Sequence, residues 1–246
     1  MSYLRLLFMI IWSIICISTS LLVRLVTFSS KWGVAMARVM WAPVINFFAG
    51  VQLKIHITNP SLLKSYQGPV IVVSNHASVM DIPFLFQSIP FNLYFVGKKE
   101  LKKVPFIGWY MMAMGMIFID RGNKEKSMQS IKKAALLIRK GKSVVTFPEG
   151  TRSSDGKIGT FKNGTFHMAI EAQVPILPVY IEGAHHVWPN SKFSIKPYPV
   201  QVIIGDPIFT TEWDLGNLQE YNSLVRNAVL ELQSQHSPSG KQQVTI

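Results

Sequence analysis

The sequence predicts an α/β fold in which a mostly parallel central sheet is flanked by helices and preceded by two apolar helices. From about residue 51 onward, short β-rich runs alternate with helical segments, which is the pattern of an α/β layered fold. Several of these runs are continuously apolar, as expected for strands buried on both faces of a parallel sheet. Two long apolar stretches come before residue 51.

The first apolar stretch, residues 6–23, carries no charge and has an arginine at each end. As a helix it would be roughly 27 Å long, close to the roughly 30 Å hydrocarbon core of a bilayer. The second stretch, residues 32–51, contains Arg38 and Pro43 and is a poorer spanning helix. We therefore predict a two-helix membrane anchor that enters one leaflet. A hairpin that crosses the bilayer is the alternative, and the lack of an Ala-x-Ala site disfavours a cleaved signal peptide.

The remaining elements follow from local composition and periodicity. Seven strands are predicted at residues 53–58, 70–74, 93–96, 116–119, 143–147, 176–181 and 200–204. Helices are predicted at residues 83–87, 105–113, 124–139, 166–172 and 218–233. The helix at 124–139 is amphipathic, because Met128, Ile131 and Ile138 fall on one stripe. The predicted domains are the anchor at 1–52, an α/β domain at 53–233 and a polar, flexible tail at 234–246.

The composition is both apolar and basic. Hydrophobic residues make up 48% of the chain, and 25 basic against 13 acidic residues give a net charge of +12. A basic balance suits an anionic partner, and the apolar anchor favours a bilayer surface over nucleic acid. Cys16 is the single cysteine of the sequence, which excludes an internal disulfide framework and a cysteine-rich zinc site.

A histidine and an aspartate lie in the loop after the second predicted strand. His76 ends the strand and Asp81 begins the following helix, five residues later. A carboxylate that accepts the Nδ1 proton of an imidazole leaves Nε2 free to act as a general base. The alternative is that Asp81 only caps the helix and that His76 packs at the strand end.

Basic residues follow three other predicted strands. Lys98 follows the third strand, Arg121 follows the fourth, and Glu149, Gly150 and Arg152 follow the fifth. Because the carboxyl ends of parallel strands meet at one edge of a sheet, we expect these cations to converge beside the histidine. Such a cluster suits a phosphate-bearing ligand, although each cation taken alone is more often a solvated surface charge.

Other sites are disfavoured by the sequence. We find no metal-ligand cluster, and the adjacent pair His185 and His186 is interpreted as surface residues. No Gly-x-Ser-x-Gly nucleophile elbow is present, which argues against that class of hydrolase. A non-catalytic binder of membranes or nucleic acid is the alternative from a different class, and the His76–Asp81 pair argues against it.

Four blocks together resemble the glycerolipid acyltransferase family, and within it the bacterial 1-acyl-sn-glycerol-3-phosphate acyltransferases. The blocks are NHASVMD (75–81), FIDR (118–121), FPEGTRS (147–153) and VPILPVYIEG (174–183). The resemblance implies that His76 is the catalytic base and Asp81 its partner. It also implies that the acceptor substrate binds to Arg121 and to the segment Glu149, Gly150, Thr151 and Arg152, with Lys98 as a further contact.

The resemblance also implies a reaction and a location. The expected reaction moves a fatty acyl group from acyl-CoA or acyl-ACP to the sn-2 hydroxyl of 1-acyl-sn-glycerol 3-phosphate (lysophosphatidic acid), forming phosphatidic acid. Another lysophospholipid, glycerol 3-phosphate or a lyso-aminolipid is the alternative acceptor. No cofactor beyond the acyl donor, no metal and no nucleic acid is expected. The enzyme should lie on the membrane with its active domain on the cytoplasmic face, in a bacterial inner membrane.

Overall fold

A computed structural model describes residues 2–120, 122–189 and 194–236. Within these ranges seven strands form one sheet: β1 (Gln52–Ile57), β2 (Ile71–Ser74), β3 (Leu93–Lys98), β4 (Ile117–Ile119), β5 (Ser143–Thr146), β6 (Ile176–Glu182) and β7 (Pro199–Ile204). Their spatial order is β1-β7-β6-β2-β5-β3-β4.

Five neighbouring strands of the sheet, β2 to β6, run in one direction. β2 pairs in parallel with both β5 and β6, and β3 pairs in parallel with both β5 and β4. β7 is antiparallel to β6 and β1 is parallel to β7, so these two strands run the opposite way. The predicted mostly parallel α/β fold is confirmed. The carboxyl ends of the five co-directional strands lie at one edge of the sheet, where such folds carry their sites.

Helices cover both faces of the sheet. The described helices are α1 (Ser2–Thr27), α2 (Ser30–Met36), α3 (Ala42–Ala49), α4 (Pro60–Ser65), α5 (Asp81–Ser88), α6 (Ile107–Ala113), α7 (Lys124–Arg139), α8 (Gly164–Ala172), α9 (Ala184–Val187) and α10 (Leu218–His236). Phe86 of α5 packs on Phe95 of β3, on the face that also carries α1, α3 and α6. Tyr180 of β6 receives a hydrogen bond from Gln233 of α10 on the opposite face, with α7 and α8.

The two apolar stretches at the N-terminus form long helices that pack on the α/β domain. A π-helical turn, Ala37–Trp41, joins α2 to α3, and Pro43, the second residue of α3, has no N–H to donate to this preceding turn. The Asn46 amide donates to Oε1 of Gln87 in α5 at 2.6 Å, and the Tyr110 hydroxyl donates to the Gly33 carbonyl at 3.3 Å. Both stretches are long and apolar enough to cross a membrane.

Some predicted boundaries differ from those observed. α5 begins at Asp81, as the position of that residue in the loop indicates, two residues before the predicted helical run 83–87. The predicted helix at 105–113 begins at Ile107, because a 3₁₀ helix, Lys99–Lys103, and a left-handed Phe106 (φ +60°) precede it. α10 continues to His236, past the predicted start of the flexible tail at 234. The rest of that predicted tail, 237–246, lies outside the described residues.

Candidate active site

His76 and Asp81 are in direct contact, as the spacing of the loop predicts. Nδ1 of His76 lies 2.7 Å from Oδ2 of Asp81. The same oxygen accepts the backbone N–H groups of Ala77 and Ser78 at 2.8 and 3.0 Å. The Asp81 side chain is fully buried, whereas that of His76 is 18% exposed. A buried carboxylate held by two backbone donors keeps the imidazole in one orientation, with its other nitrogen available for proton transfer.

The ring of His76 is also supported by an aromatic side chain. It stacks on Phe147, the residue after β5, with ring centroids 4.0 Å apart and an interplanar angle of 13°. β2 and β5 are adjacent parallel strands, so the residues after them meet at the same edge. The stack limits tilting of the imidazole, a role of Phe147 that its position in the sequence does not indicate.

Glu149 joins the loop after β2 to the loop after β5. Its Oε1 accepts the backbone N–H of His76 at 3.0 Å, and its Oε2 accepts that of Gly159 at 3.1 Å. Burial raises the pKa of Glu149, and the two backbone donors act in the opposite direction. Both oxygens are therefore engaged by the backbone, so the geometry gives Glu149 a positioning role beside His76. The expectation that it contacts an acceptor substrate stays a prediction.

The turn after Glu149 forms one wall of an open cleft. Gly150 has φ +78°, a backbone conformation that favours glycine at this turn. Thr151 and Arg152 are exposed in a cleft of about 320 Å³, which Glu149 and the residues at 153–155 and 157–159 also line. The N–H of Ser153 donates to the His76 carbonyl at 2.7 Å. This bond holds the residue after Arg152 against the backbone of the candidate base.

The structure does not place Lys98 beside His76, and Arg121 lies outside the described residues. Lys98 is exposed at the end of β3, two strands from β2, which is a separation of roughly 10 Å at usual strand spacing. Side-chain alternation also puts it on the face opposite Phe95, which lies near Phe147. A role for Lys98 in the site stays a prediction.

Two further residues of the loop tie it to the end of β6 and to the segment after that strand. The Asn75 side chain donates to the carbonyl of Ile181 at 2.9 Å and accepts its N–H at 2.8 Å. The hydroxyl of Ser78 donates to the carbonyl of Trp188 at 3.0 Å. These contacts could not be predicted from the sequence, because they depend on which strand lies next to β2.

With this geometry in place, comparisons with known proteins identify the family. The family model described as Acyltransferase matches residues 54–182, just over half of the chain. This chain belongs to the acyltransferase family. The matched range of this family member contains His76, Asp81 and the turn at 149–152, and it ends before His185.

Relatives of known name agree with the family match. The chain is 31% identical to a 1-acyl-sn-glycerol-3-phosphate acyltransferase of Limnanthes alba, over 95% of this chain and 87% of the relative. It is 35% identical to the chloroplastic enzyme LPAT1 of Arabidopsis thaliana, over 66% of this chain and 46% of the relative. The crystal structure of the 1-acyl-sn-glycerophosphate (LPA) acyltransferase PlsC from Thermotoga maritima is similar, with a TM-score of 0.66 and 25% identity. That match covers 83% of this chain and 82% of the other.

Proposed function

We propose that this protein transfers a fatty acyl group from acyl-CoA or acyl-ACP to the sn-2 hydroxyl of 1-acyl-sn-glycerol 3-phosphate, forming phosphatidic acid. One observation carries the proposal: an imidazole fixed by a buried carboxylate lies beside a cleft that contains an arginine. The names of the Limnanthes and Thermotoga proteins support the choice of acceptor. The proposed reaction uses the acyl donor as co-substrate and requires no other cofactor.

In the proposed mechanism His76 acts as the general base. It takes the proton from the acceptor hydroxyl as the oxygen attacks the thioester carbonyl carbon. Asp81 stabilises the imidazolium that results. The tetrahedral intermediate collapses, the carbon–sulfur bond breaks, and the imidazolium returns its proton to the leaving thiolate. The products are the new ester and a free thiol.

The surroundings of Ser78 support direct transfer without an acyl-enzyme. Ser78 is the hydroxyl residue of the loop closest in sequence to His76, but it is fully buried. Its hydroxyl donates to the Trp188 carbonyl and accepts the N–H of Met80 at 3.2 Å. A nucleophile needs an adjacent base and access to substrate, and Ser78 has neither in this arrangement.

The proposed acceptor site is the cleft at Thr151 and Arg152. A guanidinium can bind two phosphate oxygens at once, and the exposed position of Arg152 allows it to do so. In this proposal Gly150 shapes the turn and Glu149 holds it against His76. Arg121 and Lys98 are proposed as further cations for the phosphate.

The arrangement of α1 supports association with one leaflet of a membrane. One side of α1 packs on α2, α3 and α6, with Met9, Cys16 and Ser20 buried. The other side exposes a stripe of large apolar side chains along the length of the helix. A helix packed along one side and apolar on the other fits shallow insertion into a bilayer. We propose that the active domain lies on the cytoplasmic face of a bacterial inner membrane, as Arg24 in the last turn of α1 and Lys31 and Arg38 after it favour.

An acceptor panel tests the proposed function. Purified protein in detergent is given an acyl-CoA or an acyl-ACP, and thiol release is measured with each candidate acceptor. We expect the highest kcat/KM with 1-acyl-sn-glycerol 3-phosphate, because its phosphate matches the arginine-containing cleft. A higher value with a lysophospholipid that carries a larger headgroup, with glycerol 3-phosphate or with a lyso-aminolipid would replace the proposed acceptor. Thiol release that does not depend on any acceptor would indicate a hydrolase.

A further inference from the structure

A third loop lies beside the candidate base, on the side opposite the cleft. In the sheet, β6 and β5 flank β2, so the residues that follow β6 adjoin those that follow β2. The turn at Gly183 has φ +83°, and a Cβ there would lie 2.6 Å from the carbonyl oxygen of Pro199. This close approach fixes the start of α9, which carries His185.

His185 reaches across the sheet edge to the loop that borders the cleft, residues 151–159, here called the cleft loop. A Cβ built on Gly156 would lie 2.7 Å from Nδ1 and 2.8 Å from Cε1 of His185, so the imidazole packs directly on this glycine. Gly156 also has φ +79°, which favours glycine. Burial lowers the pKa of His185, and the neighbouring His186 lowers it further, whereas Asp155 and Asp81 raise it.

The middle of the cleft loop is exposed and is held at its ends. The N–H of Ser153 donates to His76 at one end, and the N–H of Gly159 donates to Glu149 at the other. Between them, Asp155 is 57% and Lys157 is 86% exposed at the side chain. The imidazole of His185 supplies a contact to this exposed middle from a different element of the fold.

We infer that His185 is a positioning residue of the acceptor cleft, which holds the cleft loop in place through its contact with Gly156. The inference rests on the proposed function, because it assigns the cleft to the acceptor. The hydrogen bond from Ser78 to Trp188, one residue after α9, anchors the same segment to the His76–Asp81 loop. The segment from Gly183 to Trp188 thus joins the His76–Asp81 loop to the cleft loop. His185 lies outside the range matched by the family model.

Three variants of the full chain test this role. His185→Ala removes the ring, and His185→Phe keeps a ring of similar shape without imidazole chemistry. His186→Ala is the matched control. The His186 ring is exposed and packs on Tyr198 at 4.3 Å and on the His185 ring at 3.8 Å, so this variant removes a neighbouring imidazole and leaves the contact of His185 with Gly156 in place. The first measurement is steady-state kinetics with each substrate varied. The second is the rate of tryptic cleavage after Lys157, which does not require activity.

We expect His185→Ala to raise the acceptor KM about tenfold while kcat and the donor KM change by no more than about twofold, because a misplaced cleft loop weakens acceptor binding. Cleavage after Lys157 should be on the order of several-fold faster than in the wild type, because the cleft loop opens more often without this contact. His185→Phe and His186→Ala should resemble the wild type in both measurements.

Two results would overturn the inference. One is a His185→Ala protein that matches His186→Ala in acceptor KM and in cleavage after Lys157. The other is a His185→Phe protein as impaired as His185→Ala, which would assign the effect to imidazole chemistry instead of packing. Absence of transfer to 1-acyl-sn-glycerol 3-phosphate by the wild type contradicts the proposed function instead, and the cleavage rates still decide whether His185 holds the loop.

Discussion

At the residue scale, three contacts restrict His76 in three different ways. Asp81 holds Nδ1 and so sets the rotation of the ring. Phe147 stacks on the ring face and limits its tilt. Glu149 binds the backbone N–H and limits movement of the residue as a whole. A base held in this way needs little reorganisation when it accepts a proton, which is a general requirement of efficient catalysis.

The sequence allowed the first of these contacts to be predicted but not the other two. The spacing from His76 to Asp81 lies within one loop, so local geometry decides it. The contacts with Phe147 and Glu149 depend on the register of β2 against β5, in which Val73 pairs with Thr146. That register depends on how two segments distant in sequence pair in the assembled sheet, so it cannot be predicted from either segment alone.

Replacement of Arg152 tests the assignment of the cleft. We expect Arg152→Ala to raise the acceptor KM by about tenfold or more and to change the donor KM little, because the lost guanidinium would have bound the acceptor phosphate. The measurement is initial rates with each substrate varied in turn. Arg139→Ala is the matched control, since Arg139 is an exposed arginine on α7 that contacts Glu171. Equal effects of Arg152→Ala on both KM values would remove Arg152 from the phosphate site.

At the element scale, the loop after β5 is fixed by elements distant in sequence. The guanidinium Nε of Arg226 in α10 donates to the Gly159 carbonyl at 3.0 Å. The Asn222 amide donates to the Phe161 carbonyl at 2.9 Å. The helix α10 was predicted from its apolar spacing, but its attachment to this loop was not. Two short helices, α4 and α9, were missed, since segments of four to six residues are too short for periodicity to identify.

Glu149 offers a test of how this loop is held. Burial raises its pKa above the unfolded value, so folding favours the protonated carboxyl. That contribution is present below the unfolded pKa and is lost as pH rises through the folded pKa. Glu149→Gln cannot ionise, so the stability advantage of the wild type over this variant should narrow as pH rises from about 4 to about 8. The measurement is the free energy of unfolding in denaturant at each pH.

The opposite pH dependence in the same series of measurements would contradict this expectation. An advantage of the wild type that widens as pH rises would mean that the ionised carboxylate is the stabilising form. In that case the two backbone donors from His76 and Gly159 would outweigh the burial of Glu149. Glu171→Gln, on the exposed side of α8, is the control for a carboxylate outside the loop.

At the scale of the whole molecule, the apolar and polar surfaces are separated by the sheet. The layer with α1 and α6 exposes large apolar side chains, among them Leu4, Leu25 and Trp109. The opposite layer carries α7, on which lysines surround the exposed Leu136. The overall fold was predictable because the alternation of apolar, strand-like runs with helical segments can be read directly from the sequence. The packing of α1 along one side could not be predicted, because its sequence is apolar on every side of the helix.

Depth measurements test whether α1 lies in one leaflet. Nitroxide labels are attached to Leu4→Cys, Ile15→Cys and Leu25→Cys in a Cys16→Ser background and reconstituted in vesicles. Because one side of α1 packs on the protein along its length, we expect similar, shallow depths at all three positions. A spanning helix would instead give the greatest depth at residue 15. A label at Leu136→Cys, similarly exposed on α7, is the aqueous control.

The proposed reaction depends on His76 as the general base of the transfer. The most direct measurement is the acyl transfer rate of purified His76→Gln protein, with thermal unfolding measured in parallel to establish that the fold is intact. We expect kcat to fall by at least about a hundredfold, because general base catalysis contributes that much or more. A folded His76→Gln protein that transfers acyl groups within a few-fold of the wild-type rate would contradict the account.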